Sequence, residues 1–191
     1  MSVETEAKLR VESHEPVRGR LRELGAVLIG RVREFNRILD RPDGSLRKQG
    51  RGLRLRTAVS ETRGHGPERP SAATLTFKGR VQPGPMKSRE ELEVEISDAD
   101  VFAQLLERLG FTTVLFYEKR RESWRLGPCR IELDEPPHIG LFVEIEGPDV
   151  DAIRDVQTSL GLDHIPQEPA SYVRMLLAYC ERHGITDRVL R

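Results

Sequence analysis

Val3-Glu4-Thr5-Glu6-Ala7-Lys8-Leu9-Arg10-Val11 alternates charged and apolar side chains, the period of a β-strand with two unlike faces. Glu4, Glu6, Lys8 and Arg10 fall on one side, and Val3, Leu9 and Val11 on the other. The same chemistry recurs strand by strand. Arg54 and Arg56 share a face, as do Thr76 and Lys78; Arg89, Glu91, Glu93 and Glu95; and Lys119 and Arg121. Arg130, Glu132 and Asp134 follow, then Glu144 and Glu146, with Leu, Val, Ile or Phe largely filling the positions between. In one strand this describes an ordinary antiparallel sheet with a wet face and a core face. Repeated along the chain, beside helices whose apolar stripes must cover the apolar face, it describes a sheet curled into a barrel with a charged lumen. A lumen of both signs is costly to desolvate unless its charges pair or hold ligands.

The segments between the charged strands are readable too. Pro16 opens a helix with Val17, Leu21 and Leu24 at helical spacing and Gly25 at its end. A second strand is expected over Arg33 to Asp40, before the Arg41-Pro42-Asp43-Gly44 turn, with further strands over Gly52 to Ala58 and Thr74 to Arg80. Ser60 to Ser71, rich in Gly, Pro and charge, suits an exposed, mobile hairpin loop. Arg89 to Ile96 leads into a helix capped by Ser97 and Asp98, striped by Val101, Leu105 and Leu109, and stopped at Gly110. Strands over Val114 to Arg125, Cys129 to Glu135 and Leu141 to Gly147 come next, then helices over Val150 to Leu160 and Pro169 to His183. The sum is an α+β fold of about eight strands and four helices, mostly antiparallel, in one domain spanning residues 1–191.

With 31 basic against 31 acidic residues there is no global field to recruit nucleic acid or an anionic membrane, so any anion site is local. Cys129 and Cys180 have neither CxxC spacing nor a His partner and read as reduced, buried thiols. The N-terminus lacks a basic or apolar leader, and no run approaches the ~18 apolar residues of a membrane span, so a cytoplasmic location is expected. His14, His65, His138, His164 and His183 are scattered and read as solvated. Trp124 and Tyr117 read as core residues rather than stacking plates for a base. Asp40 reads either as an acidic strand end or as the cap of the turn that follows it.

The charged face suits a polyphosphate and its metals. Arg and Lys neutralise phosphoryl oxygens, and closely spaced carboxylates bind hard cations such as Mg²⁺ or Mn²⁺. Glu-x-Glu on a strand places two carboxylates on one face, roughly 6.6 to 6.8 Å apart along the chain.

Glu4-Thr5-Glu6-Ala7-Lys8 resembles the ExExK signature of the CYTH family, the triphosphate tunnel metalloenzymes, which includes class IV adenylyl cyclases, thiamine triphosphatases and inorganic tripolyphosphatases. The blocks that follow are similar to the family's in type, order and spacing: Leu53-Arg54-Leu55-Arg56, Thr76-Phe77-Lys78-Gly79, Arg89-Glu90-Glu91-Leu92-Glu93, Glu118-Lys119-Arg120-Arg121, Ile131-Glu132-Leu133-Asp134 and Phe142-Val143-Glu144-Ile145-Glu146. Gln167-Glu168-Pro169-Ala170-Ser171-Tyr172 resembles the start of the family's C-terminal helix. The resemblance implies an eight-stranded antiparallel β-barrel with flanking helices, tunnel strands over about 3–147 and C-terminal helices over about 150–183. It implies triphosphate binding by Arg54, Arg56, Lys78, Lys119 and Arg121, with Arg89 either joining them or serving as a structural ion pair. It implies Mg²⁺ or Mn²⁺ on carboxylates drawn from Glu4, Glu6, Asp134, Glu144 and Glu146, with Glu91 and Glu93 as further lumen acids. Lys8 is implied to orient or deprotonate the attacking nucleophile. The partner is then a small-molecule triphosphate, with a homodimer left open.

Three activities fit: a metal-dependent triphosphatase acting on tripolyphosphate, thiamine triphosphate or a nucleotide; a cyclase converting ATP to cyclic AMP and pyrophosphate; and a binding domain without turnover. Two Glu-x-Glu pairs supply more metal ligands than binding needs. The absence of an evident adenine pocket, of a His-Phe leader, and the retention of both Glu144 and Glu146 lean toward hydrolysis.

Overall fold

Ala7 and Leu9 in β1 (Ser2–Val11) are fully buried in a core outside a closed sheet, whereas Glu4, Glu6 and Lys8 of the same strand line its interior. The structure is a computed structural model describing residues 2–61 and 73–191. The remaining barrel strands are β2 (Val27–Asp40), β3 (Gly52–Ser60), β4 (Ala73–Gln82), β5 (Lys87–Ile96), β6 (Thr112–Leu126), β7 (Cys129–Glu135) and β8 (Leu141–Gly147). They run in the order β2-β3-β4-β5-β1-β8-β7-β6, and β6 returns to β2 along the register from Val27 opposite Arg125 to Asp40 opposite Thr112. All these pairings are antiparallel, so an eight-stranded barrel closes with no open edge. A short β9 (Val189–Leu190) pairs in parallel with Phe116 and Tyr117 of β6.

Helices roof the apolar outer face. α1 (Glu15–Glu23) and α4 (Val150–Ser159) bring Val17, Leu21, Ile153 and Val156 onto Ala7, Leu9, Ile131, Leu133, Val143 and Ile145. Gly147 makes that contact feasible: a Cβ there would lie 2.8 Å from Ile153 Cγ1 and 2.9 Å from Cys129 Sγ. α3 (Ala99–Arg108), capped by Asp98, whose side chain accepts from the N–H of Asp100 and Val101, covers Leu53 and Leu55 with Ala103 and Leu106. α5 (Tyr172–His183) instead sits at one end of the barrel, where Leu176 and Leu177 pack with Ile38, Leu115, Tyr117 and Phe142.

Several details differ from the sequence expectation. β2 begins at Val27, six residues before the expected Arg33, because Val27-Leu28-Ile29 is an exposed apolar run without alternation. A four-residue helix α2 (Ser45–Lys48) follows the Arg41–Gly44 turn, and the β9 pairing was not expected. α5 starts at Tyr172, since Ser171 is its cap and accepts from Arg174 N–H. Of the Ser60 to Ser71 loop, Ser60 ends β3 and Glu61 N–H donates to Arg31 O; the rest lies outside the described residues. His14 is buried rather than solvated, its Nε2 2.9 Å from Phe142 O, and burial lowers its pKa. Trp124 is in the outer core, donating Nε1–H to Glu122. Asp40 accepts from the N–H groups of Arg41, Leu46 and Arg47, so it caps the turn and α2.

Candidate active site

The barrel interior and its mouths enclose a cavity of about 1350 Å³. Alternation along each strand delivers its charged residues to that space. Glu4, Glu6, Lys8, Arg54, Arg56, Lys78, Arg89, Glu91, Glu93, Lys119, Arg121, Glu144 and Glu146 all line it; Asp134 is fully buried behind Arg121 and Lys119.

One wall is carboxylate-rich. Glu6 lies opposite Glu146 in the β1–β8 register, and one carboxylate oxygen from each of Glu4, Glu6 and Glu146 lies within 4.8 Å of the others. Burial, a hydrogen bond with Glu91, and the charges of Glu6 and Glu146 push the Glu4 carboxyl up to about 8, against the pull of Lys78. Glu146 is likewise raised, by burial and then by Glu144, Glu132 and Glu6, with Arg121 opposing. Glu6 differs: burial pushes it up, but Lys87 and Lys8 bring it down to about 2. Glu4 Oε2 is buried with no hydrogen-bond donor, and Lys78 Nζ stands 3.7 Å away. Such a trio of oxygen ligands fits a hard divalent cation, whose charge would offset the burial and the neighbouring carboxylates that raise Glu4.

The opposite wall is a lattice of cations and acids. Arg121 donates Nε–H to Asp134 Oδ1 at 2.7 Å and Nη2–H to Asp134 Oδ2 at 2.6 Å, and reaches Glu144 Oε2 at 2.7 Å. Lys119 Nζ is 2.8 Å from the same Asp134 and 3.3 Å from Glu34. Burial opposes the ionised form of Asp134, but Arg121 and Lys119 hold it well below the usual carboxylate range. Arg56 binds Glu34 at 2.8 Å and donates Nε–H to Asn36 Oδ1 at 2.9 Å. Glu34 sits at about 2: burial raises it, and Lys119, Arg56 and Arg121 overcome that. Arg54 donates to Thr76, which donates to Glu93 at 2.7 Å, while Arg54 Nε is buried without an acceptor. Burial and the adjacent Arg56 lower Arg54 to about 10.

Two lysines sit between the walls. Lys78 pairs with Glu91, which Arg89 Nε also contacts at 3.0 Å, and burial with Arg54 and Arg89 lowers Lys78 to about 8. Lys8 Nζ donates to Ala170 O at 3.0 Å and lies 3.5 Å from Glu144; burial lowers its pKa. The structure thus brings Glu4, Glu6 and Glu146 into one cluster, and sets Asp134 and Glu144 among cations instead. Glu34, Asn36, Lys87 and Tyr172 are site residues that sequence reasoning did not select. Lys87 continues the alternation of β5 two residues before its expected start, so the period-of-two signal was available for it, whereas Glu34 and Asn36 share a face of β2 flanked by Arg33 and Arg37.

A closed antiparallel barrel with a charged lumen of this kind is the triphosphate-tunnel fold. Residues 2–166 match the CYTH domain, and the chain belongs to that family. The adenylate cyclase CyaB of Aeromonas hydrophila is 31% identical over 155 residues, 76% of this chain and 73% of that one. The PH1819 protein of Pyrococcus horikoshii superposes with a TM-score of 0.75 at 27% identity, covering 91% of this chain and 99% of that one. The HpAC1 protein of Hippeastrum, reported for a dominant triphosphatase activity, shares the fold with a TM-score of 0.68 at 20% identity over 95% of this chain and 96% of its own.

Proposed function

We propose that this protein catalyses divalent-metal-dependent phosphoryl transfer on a small-molecule triphosphate held in the tunnel, with hydrolysis as the reaction. The observation that carries the reading is the division of one lumen into a carboxylate cluster, Glu4, Glu6 and Glu146, and a cationic wall that includes Arg54, Arg56, Lys119 and Arg121. Glu4, Glu6 and Glu146 would hold Mg²⁺ or Mn²⁺, which when bound neutralises phosphoryl charge. Arg54, Arg56, Lys78, Arg89, Lys119 and Arg121 grip the phosphoryl oxygens and stabilise the charge that builds on the transferred and leaving groups. Arg54 Nε, a buried donor with no acceptor in the protein, is suited to that role. Lys8 orients the attacking water as an ammonium held by Ala170 O and Glu144.

Trp124 is turned to the outer core and the Tyr172 ring lies under two lysine ammonium groups, so neither offers a free plate for a base. The second reading is cyclisation of ATP. It is favoured by the 31% identity to an adenylate cyclase and by the apolar stretch of cavity wall formed by Ile38, Val114, Tyr117 and Leu177, where a nucleoside could lie. Incubation with tripolyphosphate, thiamine triphosphate and ATP, with and without Mg²⁺ or Mn²⁺, decides between them. Metal-dependent release of orthophosphate is expected; cyclic AMP with pyrophosphate from ATP would establish the cyclase, and no turnover of any of the three would refute both.

A further inference from the structure

The C-terminal segment lines the cavity between Pro169 and Glu181, and Tyr172 is the residue of it that bonds to Asp134. Tyr172, the first residue of α5, is buried with its hydroxyl donating to Asp134 Oδ2 at 3.0 Å and its ring edge-on to Phe142 at 5.1 Å between centroids. The same ring lies under two ammonium groups: Lys8 Nζ is 4.3 Å from its centroid and Lys119 Nζ is 5.1 Å away. The residues before it are joined to β1. Gln167 bridges Leu9, Glu168 N–H donates to Lys8 O at 2.7 Å, and Ala170 O accepts from Lys8 Nζ at 3.0 Å. This segment occupies the edge of β1 that β5 leaves after the Glu6–Lys87 pair.

From this convergence we propose that Tyr172 is a positioning residue, holding the ammonium groups of Lys8 and Lys119 at fixed points relative to Asp134 and Arg121. The inference rests on the reading of Lys8 and Lys119 as groups that act on the substrate. An aromatic face attracts a cation without accepting a proton or donating a strong hydrogen bond, so it fixes where each ammonium lies while leaving its N–H groups for other acceptors. A desolvated cation over such a face gains more than an exposed one, and Lys119 is 1% exposed and Lys8 3%. The hydroxyl then ties the ring to Asp134, which itself holds Lys119 and Arg121. Docking of α5 and the geometry of the cationic wall are thereby one arrangement.

The chain's five lysines, Lys8, Lys48, Lys78, Lys87 and Lys119, allow a test that does not depend on turnover. Competitive labelling with an amine-reactive reagent, read by mass spectrometry against the exposed Lys48, is performed on the wild type, Tyr172→Phe and Tyr172→Leu, with kcat and KM measured on the same preparations. Tyr172→Phe keeps the ring and is expected to retain protection of Lys8. Tyr172→Leu is expected to raise labelling of Lys8 and Lys119 at least about fivefold, with Lys78 and Lys87 unchanged, the loss of one buried cation–aromatic contact. It is also expected to lower kcat on the order of tenfold while KM moves much less, as loss of positioning requires. Should Tyr172→Leu fail to fold by circular dichroism, Tyr172→Met, closer to the original length, takes its place. Unchanged labelling at Lys8 in a folded variant overturns the clamp; so does faster labelling with undiminished kcat. A wild type that turns over no triphosphate sinks the functional reading, while the labelling pattern still decides whether Tyr172 holds Lys8.

Discussion

Arg121 and Asp134 form a two-point pair, Nε to Oδ1 at 2.7 Å and Nη2 to Oδ2 at 2.6 Å, with the carboxylate fully buried and the guanidinium 12% exposed. Removing one partner of such a pair leaves an uncompensated buried charge. Asp134→Asn is therefore expected to destabilise the fold by about 3–5 kcal/mol in urea unfolding. Because both Asp134 oxygens are already occupied by Arg121, Lys119 and Tyr172, its effect on metal affinity in the folded protein is expected to be smaller than that of Glu4→Gln. A larger loss of metal affinity than in Glu4→Gln would place Asp134 among the ligands.

Glu4→Gln and Glu6→Gln preserve shape and remove charge from a cluster whose oxygens lie within 4.8 Å of one another. Each is expected to abolish metal-dependent turnover and weaken binding of Mn²⁺ by calorimetry, with far-ultraviolet circular dichroism unchanged. Glu4→Gln should make the metal-free protein more stable than the wild type near neutral pH, since the Glu4 carboxyl, raised to about 8, must take up a proton on folding there that the neutral amide does not need. Wild-type metal dependence in both variants would exclude the cluster as the metal site.

The same raised carboxyl gives a pH dependence with a definite sign. Below about 8 the metal-free Glu4 carries a proton that a cation must displace, so metal affinity should rise with pH and level off above that value. One proton displaced corresponds to a slope of about tenfold per pH unit. Stability of the metal-free protein follows the opposite course. The folded chain binds a proton that the unfolded chain releases above the ordinary glutamate value of 4.5, so this group's contribution is fully present below 4.5 and is lost as pH rises toward 8. Glu6 and Glu34, both brought to about 2, act in the other direction, contributing stability above 4.5 that is lost as pH falls toward 2. Metal titrations from pH 6 to 9 and acid unfolding curves check the two halves; a metal affinity flat across that range would show that Glu4 is already ionised.

The barrel was legible because β1, β3, β7 and β8 each alternate between an apolar face under helices and a charged face in the lumen, and β5 alternates too, with Leu92 and Val94 left exposed on its outer face. β2 concealed its share. Arg33 and Arg37 alternate with Glu34 and Asn36, so the strand carries charge on both faces and the lumen pair has no contrast to stand against. Tyr172 was visible only as part of a motif, since its contact with Lys8 joins residues far apart in sequence and depends on how α5 docks. Which acids gather into a metal cluster was equally hidden. Glu144 and Glu146 look alike on one strand, but the barrel sets Glu144 against Lys8 and Arg121 and leaves Glu146 beside Glu4 and Glu6.

Arg54 and Arg56 lie on one face of β3, one with a buried Nε that lacks an acceptor and the other fixed by Glu34 and Asn36. Both are prepositioned before any substrate arrives, so little reorganisation is needed when phosphoryl oxygens reach them. Arg154 on α4 makes a suitable comparison, being 60% exposed and paired with Asp151 only at 3.9 Å. Loss of one prepositioned donor to a developing charge costs on the order of 2.7–4 kcal/mol, or a hundred- to a thousandfold in rate, and Arg54→Ala and Arg56→Ala are expected to fall in that range. A solvated arginine contributes little, and Arg154→Ala should leave kcat/KM near that of the wild type. The two lumen variants should also differ in stability. Arg56→Ala strands the buried Glu34 carboxylate and lowers the unfolding midpoint, whereas Arg54→Ala removes a desolvated cation crowded by Arg56 and is expected to be neutral or stabilising. Steady-state kinetics and thermal unfolding of the three variants test both halves together. Equal, small kinetic effects at all three positions would mean that the cationic wall does not bind the substrate, whatever its part in holding the barrel.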